Sequence, residues 1–252
     1  AANSNADGSD NNNTLTLPID TVRPTIALTS NVASLKAGQT ATLSFILSET
    51  SSNFAKSDIS VSGGSLSNFS GSGTSYTATF TPNTNSTDNG VISVASGSFS
   101  DANANTNADG SDNNNTLNLS VDSIRPTIAL SSDVAALKAG QTATLSFTLS
   151  EASTNFAQSD VTVSGGSLSN WNKASPTSYS ATFTPNTNST TNGVISVASG
   201  VFSDANANTN ADGTEANNAL TLPMDTVRPT IALSSDVASL KAGQTATLSF
   251  TL

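Results

Sequence analysis

An all-β chain of tandem sandwich domains is what the sequence predicts, on two observations: a long internal repeat and a hydrophobic period of two. The segment "DTVRPTIALTSNVASLKAGQTATLSFILSE" begins at Asp20 and returns as "DSIRPTIALSSDVAALKAGQTATLSFTLSE" at Asp122 and "DTVRPTIALSSDVASLKAGQTATLSFTL" at Asp225. The spacings are 102 and 103 residues. That period is too long for a solenoid coil and suits an array of small domains, each with its own core. The one-residue difference falls where "NFSGSGTSY" becomes "NWNKASPTSY". A turn tip absorbs an extra residue, whereas a strand slipped by one turns its apolar face to water.

Within a repeat, apolar residues alternate with Ser and Thr. In "QTATLSFILS", Ala41, Leu43, Phe45 and Leu47 share one face, with Thr42 and Ser44 on the other. Tyr76, Ala78 and Phe80 alternate likewise, as do Leu117, Leu119 and Val121. Such alternation marks half-buried strands. Turn signals at "KAG", "GG", "GSG", "TPN" and "NG" divide the repeat into seven strands. They are expected at 24–30 (A), 39–48 (B), 58–62 (C), 65–69 (D), 74–80 (E), 90–96 (F) and 116–121 (G). Seven short alternating strands in about 100 residues specify an immunoglobulin-like β-sandwich. The fold class is therefore all-β, as tandem seven-stranded immunoglobulin-like sandwiches. Complete repeats are expected at 20–121 and 122–224. Residues 1–19 read as the last loop and strand of an upstream copy, and 225–252 as the first two strands of a downstream copy. The sequence thus reads as a stretch of a longer array.

Composition narrows the chemistry. The chain has 252 residues with 18 acidic against 8 basic, a net charge of −10, and neither His nor Cys. A basic stripe that would release counterions from nucleic acid is missing. The commonest general base, the thiol nucleophile and tetrahedral zinc sites are excluded with His and Cys. No run of about 18 apolar residues signals a membrane-spanning helix. Oxygen ligands abound, and they suit calcium better than a transition metal.

Strand direction gathers some of those oxygens. If successive strands alternate in direction, the start of A, the B–C loop and the F–G loop share one pole. Asp20, Glu49, Asp58 and Asp101 are then expected together, and Asp122, Glu151, Asp160 and Asp204 in the second repeat. Like charges so placed repel unless a cation or solvent separates them. Calcium takes six to eight oxygens at about 2.3–2.6 Å. Asn103 and Asn105, and Asn206 in the second repeat, are available to complete such a shell. A solvated pole whose Asp and Asn side chains cap their own turns is the competing reading. The string Asn105-x-Asn107-x-Asp109-Gly110 resembles an EF-hand loop only in part, because Asn and Thr116 stand where Asp and Glu are needed. Asp109 and Asp112 read as turn residues. Glu215 replaces the latter in the third copy, and Asn105 to Asn115 as a whole reads as a polar excursion.

The motifs "DTVRPTIALTS", "LKAGQTATLSFILSE", "SDISVSGGSLSNF", "SYTATFTP" and "NGVISVASGSFSD" resemble the bacterial Ig-like repeats of giant surface adhesins, of the biofilm-associated and type I-secreted kinds. The resemblance covers both complete repeats. It implies a long extracellular chain at the bacterial cell surface, stiffened by calcium at domain junctions, that holds an adhesive region away from the cell. Carried over position by position, the acids are Asp20, Asp122 or Asp225, Glu49 or Glu151, and Asp101 or Asp204. The F–G loop departs from the family pattern in being longer and richer in Asn.

The expected role is a non-catalytic extension repeat whose partners are neighbouring repeats of the same chain. An alternative is a filament, sheath or surface-layer unit packed against identical chains, because few Lys residues guard its strand edges. Thr-rich strands also admit a sugar- or ice-binding module, although Thr is an ordinary strand residue. Trp171 aligns with Phe69 and is expected to pack at the end of strand D. Carboxylates that recur in every copy argue against an enzyme.

Overall fold

The computed structural model describes residues 1–4, 13–109, 113–212 and 216–252. Asp112 and Glu215, and the Gly110 of the EF-hand-like string, lie outside the described residues. The chain divides into two compact units, Ala1–Ser123 and Ile124–Leu252. Each holds one sandwich. No described helix is long and apolar enough to cross a membrane.

In the first unit the strands are β1 (Ile26–Ser30), β2 (Ser34–Lys36), β3 (Ala41–Ser51), β4 (Ile59–Ser62), β5 (Gly64–Pro82), β6 (Gly90–Val94) and β7 (Thr116–Asp122). One sheet runs β1-β3-β5 and the other β2-β7-β6-β4. The strand expected at 24–30 is followed by a short separate one, β2, which crosses to the second sheet. There it pairs parallel with β7, Leu35 facing Val121. The expected strands D and E form one element, β5. It doubles back around Gly71 and Gly73, both at positive φ, so that Ser70 and Thr77 share a hydroxyl contact of 3.4 Å.

The second unit repeats this plan. Its strands are β8 (Ile128–Ser132), β9 (Leu137–Lys138), β10 (Ala143–Leu149), β11 (Val161–Ser164), β12 (Gly166–Ser175), β13 (Ser178–Pro185), β14 (Gly193–Val197), β15 (Ala219–Leu222) and β16 (Met224–Asp225). The sheets run β12-β13-β10-β8 and β11-β14-β15, with β16 parallel to β9. The inserted residue does sit at a turn, around Pro176 between β12 and β13. Two further strands, β17 (Ala232–Ser235) and β18 (Leu248–Thr251), pair antiparallel, Ala232 with Thr251. Their Leu233, Leu248 and Phe250 are exposed, whereas the aligned Leu28, Leu43 and Phe45 are buried.

The predicted alternation builds the core. Along β3, Ala41, Leu43, Phe45 and Leu47 are buried, and they meet Ile92, Val94, Leu119 and Val121 of the other sheet in one cluster. Burial of side chains of this kind contributes roughly 1.5–3 kcal/mol each. Aromatic rings close one end: Phe54 stands edge-on to Tyr76 at 5.0 Å and to Phe99 at 5.2 Å. In the second unit Trp171 takes the place of Phe69, 5.2 Å from Phe147 and 5.5 Å from Phe156. It is a packing residue, as expected from the alignment. Near the other end, Phe80 is fully buried between two glycines. A Cβ on Gly64 would lie 2.6 Å from its ring, and one on Gly90 2.5 Å.

Candidate metal centre

Three carboxylates of the first repeat meet where β3 ends. Asp20 precedes β1. Glu49 lies in the stretch of β3 where the register with β5 shifts between Ile46 and Ser51. Asp101 faces Ser51 across an isolated bridge. This bridge is stapled by side chains: the Ser51 hydroxyl donates to Ser100 O at 2.7 Å, and Ser100 N donates to Asn53 Oδ1 at 3.0 Å. Sequence elements about fifty residues apart thus fix Asp101 beside the end of β3. One oxygen from each of Asp20, Glu49 and Asp101 lies within 4.8 Å of the other two.

Asparagines hold these acids in place. Asp101 Oδ1 accepts from the backbone N–H groups of Asn103 (2.9 Å) and Asn105 (2.8 Å), and its Oδ2 accepts from Asn105 Nδ2 (2.9 Å). Asn105 Nδ2 also reaches Asp20 O at 3.3 Å, and Asn103 Nδ2 donates to Asp20 Oδ2 at 2.6 Å. Arg23 fastens the same segment, giving Nε to Thr106 O (2.7 Å) and Nη2 to Thr106 Oγ1 (2.6 Å). The turn that presents these amides puts Ala104 at φ 68°, a left-handed conformation that side chains resist.

The environment drives the two inner acids apart. Asn105's side-chain amide holds the Asp101 carboxyl below its ordinary range, against an opposing effect of burial. Glu49 is pushed up, first by burial, then by the charges of Asp20 and Asp101. A group of hard oxygens carrying repelling charge fits a calcium ion in kind. It fits in span too, since two oxygens on one ion can stand up to about 5.2 Å apart at the usual bond lengths.

Asp58 is not in this group. It closes a single 3-10 turn, Lys56–Asp58, and its Oδ2 accepts from Ala55 N at 2.8 Å. Asp160 does the same with Ala157 N at 2.9 Å. In the second repeat Asp204 Oδ1 accepts from Asn206 N (2.8 Å) and Asn208 N (2.9 Å), with Asn208 Nδ2 on Oδ2 at 2.9 Å. Glu151 is half-buried in this unit, and Asp122 ends β7 of the first unit.

Within the polar excursion expected from Asn105 to Asn115, Asn107 and Asp109 are packed inward, whereas Thr106, Asn113 and Asn114 are exposed. Asn107 is fully buried, accepting from Phe99 N at 3.1 Å and donating to Ala95 O at 3.0 Å. Asp109 is buried as well and takes the Ile26 N–H of β1 at 2.6 Å. Composition hid this, because Asn and Asp read as surface residues. The exact return of both positions as Asn210 and Asp212 was the available signal.

The chain belongs to the bacterial Ig-like domain family, which matches it over residues 20–118 and 122–221. Among solved structures, the Escherichia coli adhesin FdeC is similar at 16% identity and a TM-score of 0.37, over 94% of this chain and 75% of that one. Invasin, a bacterial integrin-binding protein, is 12% identical with a TM-score of 0.38, over 83% of this chain and 41% of its own. The Yersinia pseudotuberculosis adhesin InvE is 16% identical with a TM-score of 0.30, over 78% and 49%. The chain thus spans less than half of the invasin and InvE structures. No curated protein sequence matches it.

Proposed function

We propose that the chain is a non-catalytic extension segment of a bacterial cell-surface adhesin, lying outside the cell and holding an adhesive region at a distance. The observation that carries this reading is the tandem bacterial Ig-like repeat itself, with near-identical sequence in each copy. Reach needs repetition, whereas a binding or catalytic site needs only one copy. In the same reading Asp20, Glu49 and Asp101 bind calcium. Asp20 opens the repeat, so an ion shared with Glu49 and Asp101 ties the incoming chain to the sandwich and stiffens the junction. Calcium supplies positive charge there; the residues supply the oxygens, and Asn105 and Arg23 keep them in register.

The test is thermal unfolding of the whole chain in excess calcium and in chelator. Calcium is expected to raise the unfolding temperature of the parent and to leave the E49Q/D101N/E151Q/D204N variant much less affected. An unchanged temperature in the parent would remove calcium from the proposal. Small-angle scattering under the same two conditions then reads the stiffening, and an equally rigid chain in both would remove the junction role.

A second reading, a unit of a filament, sheath or surface layer, has its own support. The edge strands β4 and β11 carry no charged residue and no proline to discourage pairing with another copy. Sedimentation at rising concentration separates the two readings: monomer throughout refutes the assembly.

A further inference from the structure

The loop between β5 and β6 carries an Asn-x-Thr triplet, Asn85-Ser86-Thr87, which returns between β13 and β14 as Asn188-Ser189-Thr190. The first repeat holds three other Asn-x-Ser or Asn-x-Thr triplets, beginning at Asn68, Asn114 and Asn118. The second repeat breaks each of them, reading Asn170-Trp171-Asn172, Asn217-Asn218-Ala219 and Thr221-Leu222-Pro223. Only the loop triplet survives in both copies. Asn68 is also engaged, donating to Thr79 Oγ1 at 3.3 Å, and Leu119 of the Asn118 triplet is buried in β7. Asn85, Thr87, Asn188 and Thr190 are all exposed. The loop is held through its middle residue: Ser86 N donates to Ser123 Oγ at 2.9 Å, and Ser86 O accepts from Ser123 N at 2.9 Å. Ser189 and Thr226 repeat both bonds, each at 2.9 Å. A left-handed φ of 51° at Asn85 and 50° at Asn188 accounts for the Asn, whose short polar side chain tolerates that region. The fold does not account for the third residue. The Thr87 and Thr190 hydroxyls have no hydrogen-bond partner among the described residues. Thr nevertheless stays, while the next position changes from Asp88 to Thr191.

We propose that Asn85 and Asn188 are acceptor sites for N-linked glycosylation, one per repeat, read by a transferase as Asn-x-Thr. The reaction needs one co-reactant, a sugar activated as a diphosphate. Asn Nδ2 forms a bond to the anomeric carbon as the bond from that carbon to the diphosphate oxygen breaks. The diphosphate leaves, and Nδ2 gives up one proton to a base of the transferase. The Asn and Thr of the triplet are exposed, and the grip on Ser123 and Thr226 uses Ser86 and Ser189. A sugar is therefore added to the folded repeat without displacing a packed group. The proposal rests on neither the calcium site nor the assembly reading.

The test is peptide mapping of the full chain, isolated from the cells that make it, by mass spectrometry with fragmentation that retains the sugar. Added sugar mass is expected on Asn85 and Asn188 in most molecules. A single hexose identifies a nucleoside diphosphate donor, and a preassembled oligosaccharide a lipid-linked one. N85Q/N188Q should lose the sugar completely. T87A/T190A keeps the Asn of the left-handed turn, and so the folded loop, and should lose it as well, with strand content checked by far-ultraviolet dichroism. Bare Asn85 and Asn188 in the parent would overturn the proposal. So would sugar found on Thr87 and Thr190 instead, or undiminished sugar on the two Asn residues after T87A/T190A.

Discussion

Gly90 supports a quantitative prediction about the core. Replacing it by Ala puts a Cβ 2.5 Å from Phe80 Cζ and 2.7 Å from Cε1, where carbon atoms normally approach to about 3.5 Å. The ring must therefore move by about 1 Å. It cannot move freely, because Gly64 lines it too, with a hypothetical Cβ there at 2.6 Å from Cζ, and the ring is fully buried. Overpacking of this kind costs about 1–3 kcal/mol. The lower chain entropy of Ala returns at most about 1 kcal/mol. A net loss of about 1–2 kcal/mol lowers the melting temperature of a repeat this size by roughly 5–15 °C. Differential scanning calorimetry of the whole chain is the assay. Gly90→Ala should lower the transition of the first repeat and leave that of the second. Gly193→Ala, whose Cβ would stand 2.7 Å from Phe183 Cζ, should do the reverse. If both variants melt within about 1 °C of the parent, the packing argument is wrong.

Three further outcomes are expected. Ala104→Gly relieves a left-handed backbone at φ 68° and should add up to about 1 kcal/mol in urea unfolding, with Ala207→Gly (φ 62°) matching it. Ser123→Ala should cost about 1–3 kcal/mol, since the buried hydroxyl donates to Asn83 O at 2.7 Å and accepts from Ser86 N at 2.9 Å, and both partners are left behind. In metal-free solution the two shifted acids give opposite pH signatures. Asp101's lowered value means that its stabilisation is complete above the unfolded-state value and is lost as pH falls through the folded one. Glu49's raised value favours its protonated form in the fold, so stability falls as pH rises through that value. Glu49→Gln should therefore stabilise the metal-free chain at neutral pH and make no difference in acid, as read from urea midpoints across a pH series.

Much of the fold was legible because alternation is a local signal. Leu43, Phe45, Tyr76 and Phe80 announce both their strands and their buried face. The short β2 was not, since "SLK" has one apolar residue and its parallel pairing with β7 is set by tertiary contact. Asp20, Glu49 and Asp101 follow from strand direction alone. Asp58 misled that argument because a carboxylate three residues after Ala55 can satisfy the chain locally, and the local bond won. The inward turn of Asn107 and Asp109 escaped because a side-chain amide or carboxylate can stand in for a missing strand partner, which composition does not reveal.

The parallel pairing of β2 with β7 has a mechanical consequence. Chain enters the repeat just before β1 and leaves it at the end of β7, and Ser34, Leu35 and Lys36 face Ser120, Val121 and Asp122 between those points. Tension along the chain pulls these two strands in opposite directions along their own length. Their hydrogen bonds are loaded together in shear and have to fail as a group, whereas a hairpin pulled at its open end unzips one rung at a time. The segment between them in sequence, from Ala41 to Val94, is loaded along its length only after that pairing fails.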